Sequence, residues 1–316
     1  MTPLLRLPRP GDLAEAGMLS VAWVAAWFFP ERLWRPFCLH LGRLGSWLRP
    51  TDSKLMKRRI EGILNNALGD LDPKEIQLQT AAGYLEVRVQ VMRERHPRGW
   101  NPEIQVHGRH HVEEALEEGR GAILWVYPTT FRHLATKKAF HLAGFSVSHL
   151  GRPDHGFSSA TSKEFVGRIT APMRVEVEDR YLDERITIPD DDSLAYVRRI
   201  QKKLRENGLV SIISDDNGRR VLDLPVLKGR IRLATGPASL AMMTGAALLP
   251  VATFARDPGA FDVWIEPPLR AGSEGGQADG AGALVQKYVL GMERYLLSHP
   301  GQWSGWQGLF RVGAEE

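Results

Sequence analysis

A chain of 316 residues, 43% hydrophobic and 25% charged, is long enough to bury a full core and too apolar to be disordered. Its single cysteine, Cys38, excludes an internal disulfide and suits a reducing compartment. The net charge is only +4, yet residues 1–60 hold ten Lys and Arg against four Asp and Glu, so the basic character belongs to the N-terminal region. That charge travels with apolar sequence and no nucleic-acid recognition motif accompanies it, which argues against a nucleic-acid partner.

The most apolar stretch is Ala16 to Phe29 (AGMLSVAWVAAWFF), closed by Pro30, Glu31 and Arg32. It is shorter than the roughly 20 residues a bilayer-spanning helix needs. Arg6 and Arg9 precede it as they would in a secretory signal, but no small-residue cleavage site follows. Trp23, Trp27 and Trp34 suit a headgroup interface. The expected element is an interfacial helix flanked by arginines that attract anionic lipid, lying on the membrane rather than crossing it. A buried core helix is the plain alternative. Residues 1–50 are accordingly read as a membrane-interface helical region, and 51–316 as an α/β domain.

Ser53–Leu68 and Pro73–Arg95 follow as amphipathic helices, the second with Leu78, Ala82, Leu85, Val89 and Met92 at helical spacing. From Ile104 strands and helices alternate. The strands are expected at Ile104–Val106, Ala122–Tyr127, Phe145–His149, Leu209–Ser214, Ala247–Phe254 and Ala260–Ile265. The helices are expected at Val112–Glu118, Phe131–Ala143, Ser193–Glu206 and Leu233–Thr244. Glu178–Asp192 (EDRYLDERITIPDDD) and the Gly-rich Glu274–Gly282 read as solvated loops. Apolar strand–helix–strand units imply right-handed crossovers between parallel strands, so the class is α/β, a mixed sheet flanked by helices.

In open α/β sheets chemistry gathers where strands end and helices begin. Three such edges stand out: Pro128–His133 (PTTFRH), Gly151–Asp154 (GRPD) and Ser214–Gly218 (SDDNG). The last leads into Leu224–Gly236 (LPVLKGRIRLATG), where Lys228, Arg230 and Arg232 lie close together. With Arg152 they are candidates for holding the phosphates of an acyl carrier, or are otherwise residues of a solvated turn. His107, His110 and His111 share a helical face, but no cysteine is near and Gly108 signals a turn, so no metal is assigned.

Three blocks carry a resemblance to a known family: Val106–Trp125 (VHGRHHVEEALEEGRGAILW), Gly208–Pro250 with its LPVLKGRIRLATGPASLAMMTGAALLP run, and His299–Arg311 (HPGQWSGWQGLFR). In order and spacing the chain resembles the late, lauroyl- and myristoyl-type lipid A acyltransferases of the lysophospholipid acyltransferase superfamily. The tail is similar to that family's closing Pro-Glu-Gln-Trp signature, with Gly301 at the Glu. The resemblance implies an acyltransferase-type fold at the cytoplasmic face of a bacterial inner membrane. It also implies acyl-CoA or an acyl carrier protein as co-substrate, with no bound cofactor.

The family's chemistry uses a His-x-x-x-x-Asp/Glu motif just after the strand matched by Ala122–Tyr127. The imidazole deprotonates an acceptor hydroxyl that attacks the acyl thioester. Here those positions hold Pro128 and His133. Proline cannot act as a base. Sliding the register so that His133 becomes the base puts Lys138 at the acid. Two rearrangements stay open. His133 could act with Asp215 or Asp216 on the neighbouring strand edge, with Thr129 and Thr130 as oxyanion donors. Alternatively His149 and Asp154, which keep the motif's spacing, could replace it, although Pro153 opposes the helix that would align them. Two functional classes follow. One is an acyltransferase with non-standard catalytic residues acting on a lipid or amine acceptor. The other is a non-catalytic relative binding an acyl chain, a lipid or a partner protein.

Overall fold

The computed structural model describes residues 10–48, 50–64, 67, 69, 71–152, 165–189, 194–270 and 277–311. Helix α1 (Pro10–Phe28) is followed by α2 (Trp34–Leu48), α3 (Pro50–Leu64) and α4 (Pro73–Glu94). Helix α4 starts where Asp72 accepts a hydrogen bond from the Lys74 N–H and Pro73 occupies the first turn, a position that loses nothing by lacking a donor.

The α/β part runs β1 (Glu103–His107), α5 (Arg109–Glu117), β2 (Ala122–Val126), α6 (Leu134–Leu142) and β3 (Val147–Gly151). It continues with α7 (Phe165–Asp179), β4 (Glu184–Thr187), α8 (Ala195–Arg205) and β5 (Leu209–Ile213). A hairpin of β6 (Val221–Val226) and β7 (Gly229–Ala234) leads to α9 (Gly236–Thr244), β8 (Ala247–Asp257) and β9 (Ala260–Ile265). Helix α10 (Gln277–Ser298) and β10 (Leu309–Arg311) close the described chain.

Seven strands form one mixed sheet in the order β1-β9-β8-β2-β5-β3-β4. Strands β8, β2, β5, β3 and β4 run parallel, while β9 is antiparallel to β8 and parallel to β1. Strand β2 is buried at every position, as a central strand covered on both faces must be. Ile123 and Trp125 face one hydrophobic core with α9 and α10, whereas Ala122, Leu124 and Val126 face another with α5 and α6. A separate three-stranded sheet has the order β10-β7-β6.

The N-terminal helices join this body. Ala22, Ala25 and Ala26 of α1, with Trp34 and Cys38 of α2, share a third cluster with Ala82, Val89 and Met92 of α4 and with Phe131 and Leu134. Gly42 lets the α2 backbone lie close against Leu78 and Ala82 of α4.

Several sequence expectations change. The acidic segment from Glu178 is not wholly a solvated loop: Glu178 lies in the last turn of α7 fully buried, and 184–187 form the edge strand β4. Its cations neutralise it inside rather than at the surface. Leu224–Gly236 is a hairpin whose strand includes Leu233 and Ala234, so α9 begins only at Gly236. The Gly-rich stretch is already helical from Gln277. Phe131–His133 form a turn ahead of α6, and Gly144, at φ +82°, takes the left-handed conformation just past the helix's end.

Candidate functional site

Strand order reverses around β2: the chain leaves β2 for β3 on one side and leaves β5 for β8 on the other. The crevice at the carboxyl ends of β2 and β5 is therefore where a ligand site is expected. The Ser214 N–H bonds to the Val126 carbonyl (3.0 Å), which aligns Pro128–His133 with Ser214–Gly218.

The Pro128 turn is clamped by the C-terminal signature. Ser304 donates to the Pro128 carbonyl from its backbone N–H (2.9 Å) and its hydroxyl (2.6 Å). The Gln302 carbonyl accepts from the Thr130 N–H (2.8 Å) and hydroxyl (2.9 Å), and Gln302 also brackets Ala255 through both ends of its amide. Gly301 stands where the resembled family has Glu because α4 comes too close: a Cβ there would lie 2.7 Å from the Gln79 Cβ. Gly83 similarly lets α4 reach Thr130, whose Cγ2 is 2.6 Å from where a Cβ would stand.

Within this turn Arg132 donates from Nη1 to the Thr129 carbonyl (2.8 Å) and to the Ser304 hydroxyl. Burial pulls its pKa down to about 10, opposed by Tyr84 nearby. The residue is part-exposed, but its Nε is buried without a partner, as are the hydroxyls of Thr129, Ser214 and Tyr288. Tyr288 stacks on Trp125 (3.7 Å) and Tyr127 (4.3 Å), with Ser214 and Arg132 close enough to its phenol to act on its ionisation. Ser214 and Tyr288 face one another without a well-formed hydrogen bond. Beyond Tyr127 lies a cleft of about 360 Å³, lined by Pro250, Pro267, Pro268 and Leu269, with Arg270 and Lys287 among its polar residues.

His133 caps the start of α6 and is buried, one turn before Lys137. Lys137 Nζ donates to Glu178 (2.7 Å), which also accepts from Arg174 (2.8 Å) and Arg185 (3.3 Å). A single buried carboxylate thus serves three cations. Burial is the main reason the Lys137 pKa falls to about 8, against the pull of Glu178. Lys138 points elsewhere, into Glu94 (2.9 Å) and the Tyr181 hydroxyl (3.0 Å).

His149 lies in register with Arg185 on one side and Ser211 on the other, and its Nδ1 is 2.7 Å from the Ser211 hydroxyl. Asp154, its partner in the second arrangement, and Pro153 lie outside the described residues. Asp215 is exposed and accepts from Asn217 through its backbone N–H (3.1 Å) and side-chain amide (3.1 Å), with the charge of the exposed Arg152 acting on it. His133 and Asp215 thus sit on adjacent strand edges, while Asp215 is already engaged in its own turn.

The carrier candidates divide in two. Arg152 stands at the end of β3, whereas Lys228, Arg230 and Arg232 belong to the hairpin. Arg230 is paired with Asp223, and Arg232 lies 4.0 Å from the same carboxylate. Asp216, Val221, Asp223 and Arg232 line a cleft of about 390 Å³. Farther away, His107 stacks on Trp264 and bonds to Asp262 (3.1 Å), while His110 stacks against His111. No group able to hold a metal occurs among the described residues.

Arg132, Ser214, Tyr288 and Glu178 did not emerge from the sequence. Arg132 carried a signal, a cation inside the hexapeptide Pro128–His133 at the strand edge. Glu178 carried one too, since Arg174 lies four residues before it on a helix. Tyr288 carried none, because it comes from a helix remote in the chain.

No family model matches the chain, and no curated protein matches it. Among solved structures, it is similar to the crystal structure of the 1-acyl-sn-glycerophosphate (LPA) acyltransferase PlsC from Thermotoga maritima. The identity is 12%, the match covers 93% of this chain and 99% of that one, and the TM-score is 0.39.

Proposed function

We propose that this chain is an acyltransferase-like protein that takes a fatty acyl group from acyl-CoA or acyl carrier protein at the cytoplasmic face of a membrane and delivers it to a lipid or amine acceptor. The observation that carries the reading is the group of hydrogen-bond donors at the carboxyl end of β2: Arg132 Nε and the hydroxyls of Thr129, Ser214 and Tyr288. Acyl transfer develops negative charge on the carbonyl oxygen, and preorganised donors in a desolvated pocket stabilise that charge strongly. His133, at the end of the same turn, is the base in this reading. It takes the proton of the acceptor as the acceptor attacks the thioester carbonyl, and the thiolate of the carrier leaves.

The membrane surface belongs to the same proposal. Val21, Trp23, Val24 and Phe28 of α1 are exposed, as are Leu44, Trp47 and Leu48 of α2, with Arg32, Arg43, Lys54 and Arg58 exposed among them. Exposed aromatic and aliphatic residues beside cations suit an anionic interface. Among the described residues no helix is long and apolar enough to cross a membrane.

A second reading is favoured by one observation, Pro128 at the position where the resembled family has its base: a non-catalytic protein that binds an acyl chain, a lipid or a partner protein. The test is acyl-thioester turnover with membrane extract as acceptor. His133→Ala is expected to lower turnover by at least about 10²-fold, the contribution of a positioned base, while acyl binding survives. Turnover unchanged by His133→Ala would remove it as the base and turn attention to His149. Acyl binding with no wild-type turnover on any lipid or amine acceptor supplied would select the second reading.

A further inference from the structure

Among the described residues, no carboxylate is hydrogen-bonded to the Arg132 guanidinium. The one fully buried acid in its neighbourhood, Glu178, is shared by Lys137, Arg174 and Arg185. The partners of the Arg132 Nη1 are a neutral carbonyl and a neutral hydroxyl, and its Nε has none. Desolvating a guanidinium without a counter-charge is costly, and an anion with well-placed hydrogen bonds offsets part of that cost.

The surroundings specify that anion. Thr129 and Tyr288 are fully buried and Ser214 nearly so, each with an unpartnered hydroxyl able to donate. The guanidinium and these three hydroxyls lie around the carboxyl end of β2: Arg132 bonds the Thr129 carbonyl in the turn that follows it, the Ser214 N–H bonds the Val126 carbonyl, and Tyr288 stacks on Trp125 and Tyr127. Four donors around one charge match a small planar anion with two acceptor oxygens. The adjoining wall is apolar, made by the Trp125–Tyr288–Tyr127 stack, and Tyr127 borders the cleft floored by Pro250, Pro267, Pro268 and Leu269.

We propose that Arg132, with the hydroxyls of Thr129, Ser214 and Tyr288, binds the carboxylate of a free long-chain fatty acid. The inference rests on the acyl-handling reading and adds to it that the site recognises the acid itself and not only the neutral thioester. A free fatty acid then competes with the acyl donor for one site.

The test is calorimetric titration at neutral pH of three probes: dodecanoate, its methyl ester, and a dodecanoyl thioester of a small neutral thiol. Dodecanoate is expected to bind at least about tenfold more tightly than the methyl ester, the increment of one charge-assisted hydrogen bond. Arg132→Gln is expected to abolish that preference. Tyr288→Phe deletes a hydroxyl whose one neighbouring partner, Ser214, makes no well-formed hydrogen bond to it, so it is expected to change the melting temperature little and still weaken dodecanoate about threefold or more. It keeps the proposal open to refutation even if Arg132→Gln fails to fold. Equal binding of acid and ester overturns the carboxylate site, as does thioester binding without acid binding, and both leave the acyl-handling reading standing. Binding of none of the three removes that reading as well. Displacement of dodecanoate by millimolar inorganic phosphate would overturn the assignment of the anion as a carboxylate.

Discussion

Ser304 holds Pro128 by two hydrogen bonds to one carbonyl, from its own N–H and from its hydroxyl, and the same hydroxyl accepts from Arg132. One side chain from the closing segment therefore sets both the turn and the cation beside it. Ser304→Ala keeps the N–H bond to Pro128 but deprives the Arg132 guanidinium of a buried partner. It is expected to cost about 1–3 kcal/mol, measured by urea denaturation. A loss below the error of that measurement would show that Arg132 finds another partner without strain.

The Glu178 cluster predicts an asymmetric response. Glu178→Gln removes a buried carboxylate shared by Lys137, Arg174 and Arg185, the last of which keeps Asp179, and is expected to destabilise by about 3–5 kcal/mol, whereas Lys137→Met leaves Glu178 with Arg174 and Arg185 and is expected to be far milder. The pH dependence has a definite sign. Burial lowers the Lys137 pKa from 10.5 to about 8, so between those values the unfolded chain holds a proton that the folded one has lost. Stability contributed by this group therefore rises with pH through that window. Wild type is expected to gain on Lys137→Met between about pH 8 and 10, read from paired denaturation curves. A constant difference would place the titration of Lys137 outside that range.

Cys38 should be chemically silent in the native protein. Burial, reinforced by Glu86 and opposed by Arg35, pushes the thiol up to about 12, so almost no thiolate exists at pH 8. A thiol-reactive chromophore is expected to label it only at the rate at which α2 lifts from α4. Rapid labelling of the native protein at pH 8 would contradict this packing.

What was legible in the sequence follows from where its information is local. Strands β2, β5, β8 and β9 announce themselves as apolar runs, and the edges after β2, β3 and β5 were recognisable from their turn residues. The acidic stretch at 178–192 was misleading because charge pattern reports composition, not pairing. Arg174, Lys137 and Arg185 converge on Glu178 from two helices and an edge strand, and no window of sequence contains all of them. Lys228, Arg230 and Arg232 are grouped by their closeness in sequence, whereas the carboxylate of Asp223, opposite Arg232 and beside Arg230, enters only through hairpin pairing. The donor group at Pro128 was half legible: Thr129 stood in the motif, while Ser214 and Tyr288 arrive only through folding.

The interfacial face can be tested without dismantling the core. Removing residues 1–50 would strip away Ala25, Ala26, Trp34 and Cys38, which pack against α4, so truncation would confuse release with unfolding. Trp47 and Leu48 are 76% and 63% exposed and offer a cleaner probe. Replacing both by Asp removes apolar area and adds two negative charges beside an anionic surface. Sedimentation with anionic vesicles is expected to fall about tenfold or more, on burial of roughly 1.5–3 kcal/mol for each large apolar side chain. Wild-type binding is expected to weaken with salt. Equal sedimentation of both proteins would locate any membrane contact elsewhere.

The double substitution Pro128→His with His133→Glu addresses whether the edge supports acyl transfer when given the resembled family's pair. It places an imidazole and a carboxylate at the spacing of the resembled family, on the same turn that Ser304 and Gln302 already clamp. The change should fold. A glutamate at the start of α6 is favoured by the helix dipole, and its charge lies one turn from Lys137 and next in sequence to Arg132, in a neighbourhood rich in cations. The Pro128 side chain is part-exposed, so an imidazole there need not be wholly buried. If only the pair is missing, acyl-thioester turnover should rise at least about 10²-fold above wild type, since the donors for the oxyanion are in place. If His133 is the working base, the double variant loses that base as it gains the new pair. The single variant Pro128→His then separates the cases, because it keeps His133 and should leave turnover near the wild-type value. A folded double variant that binds dodecanoyl thioester yet shows no gain would mean that the donor group at Pro128 recognises an acyl head without being aligned for transfer, which favours the binding-protein reading.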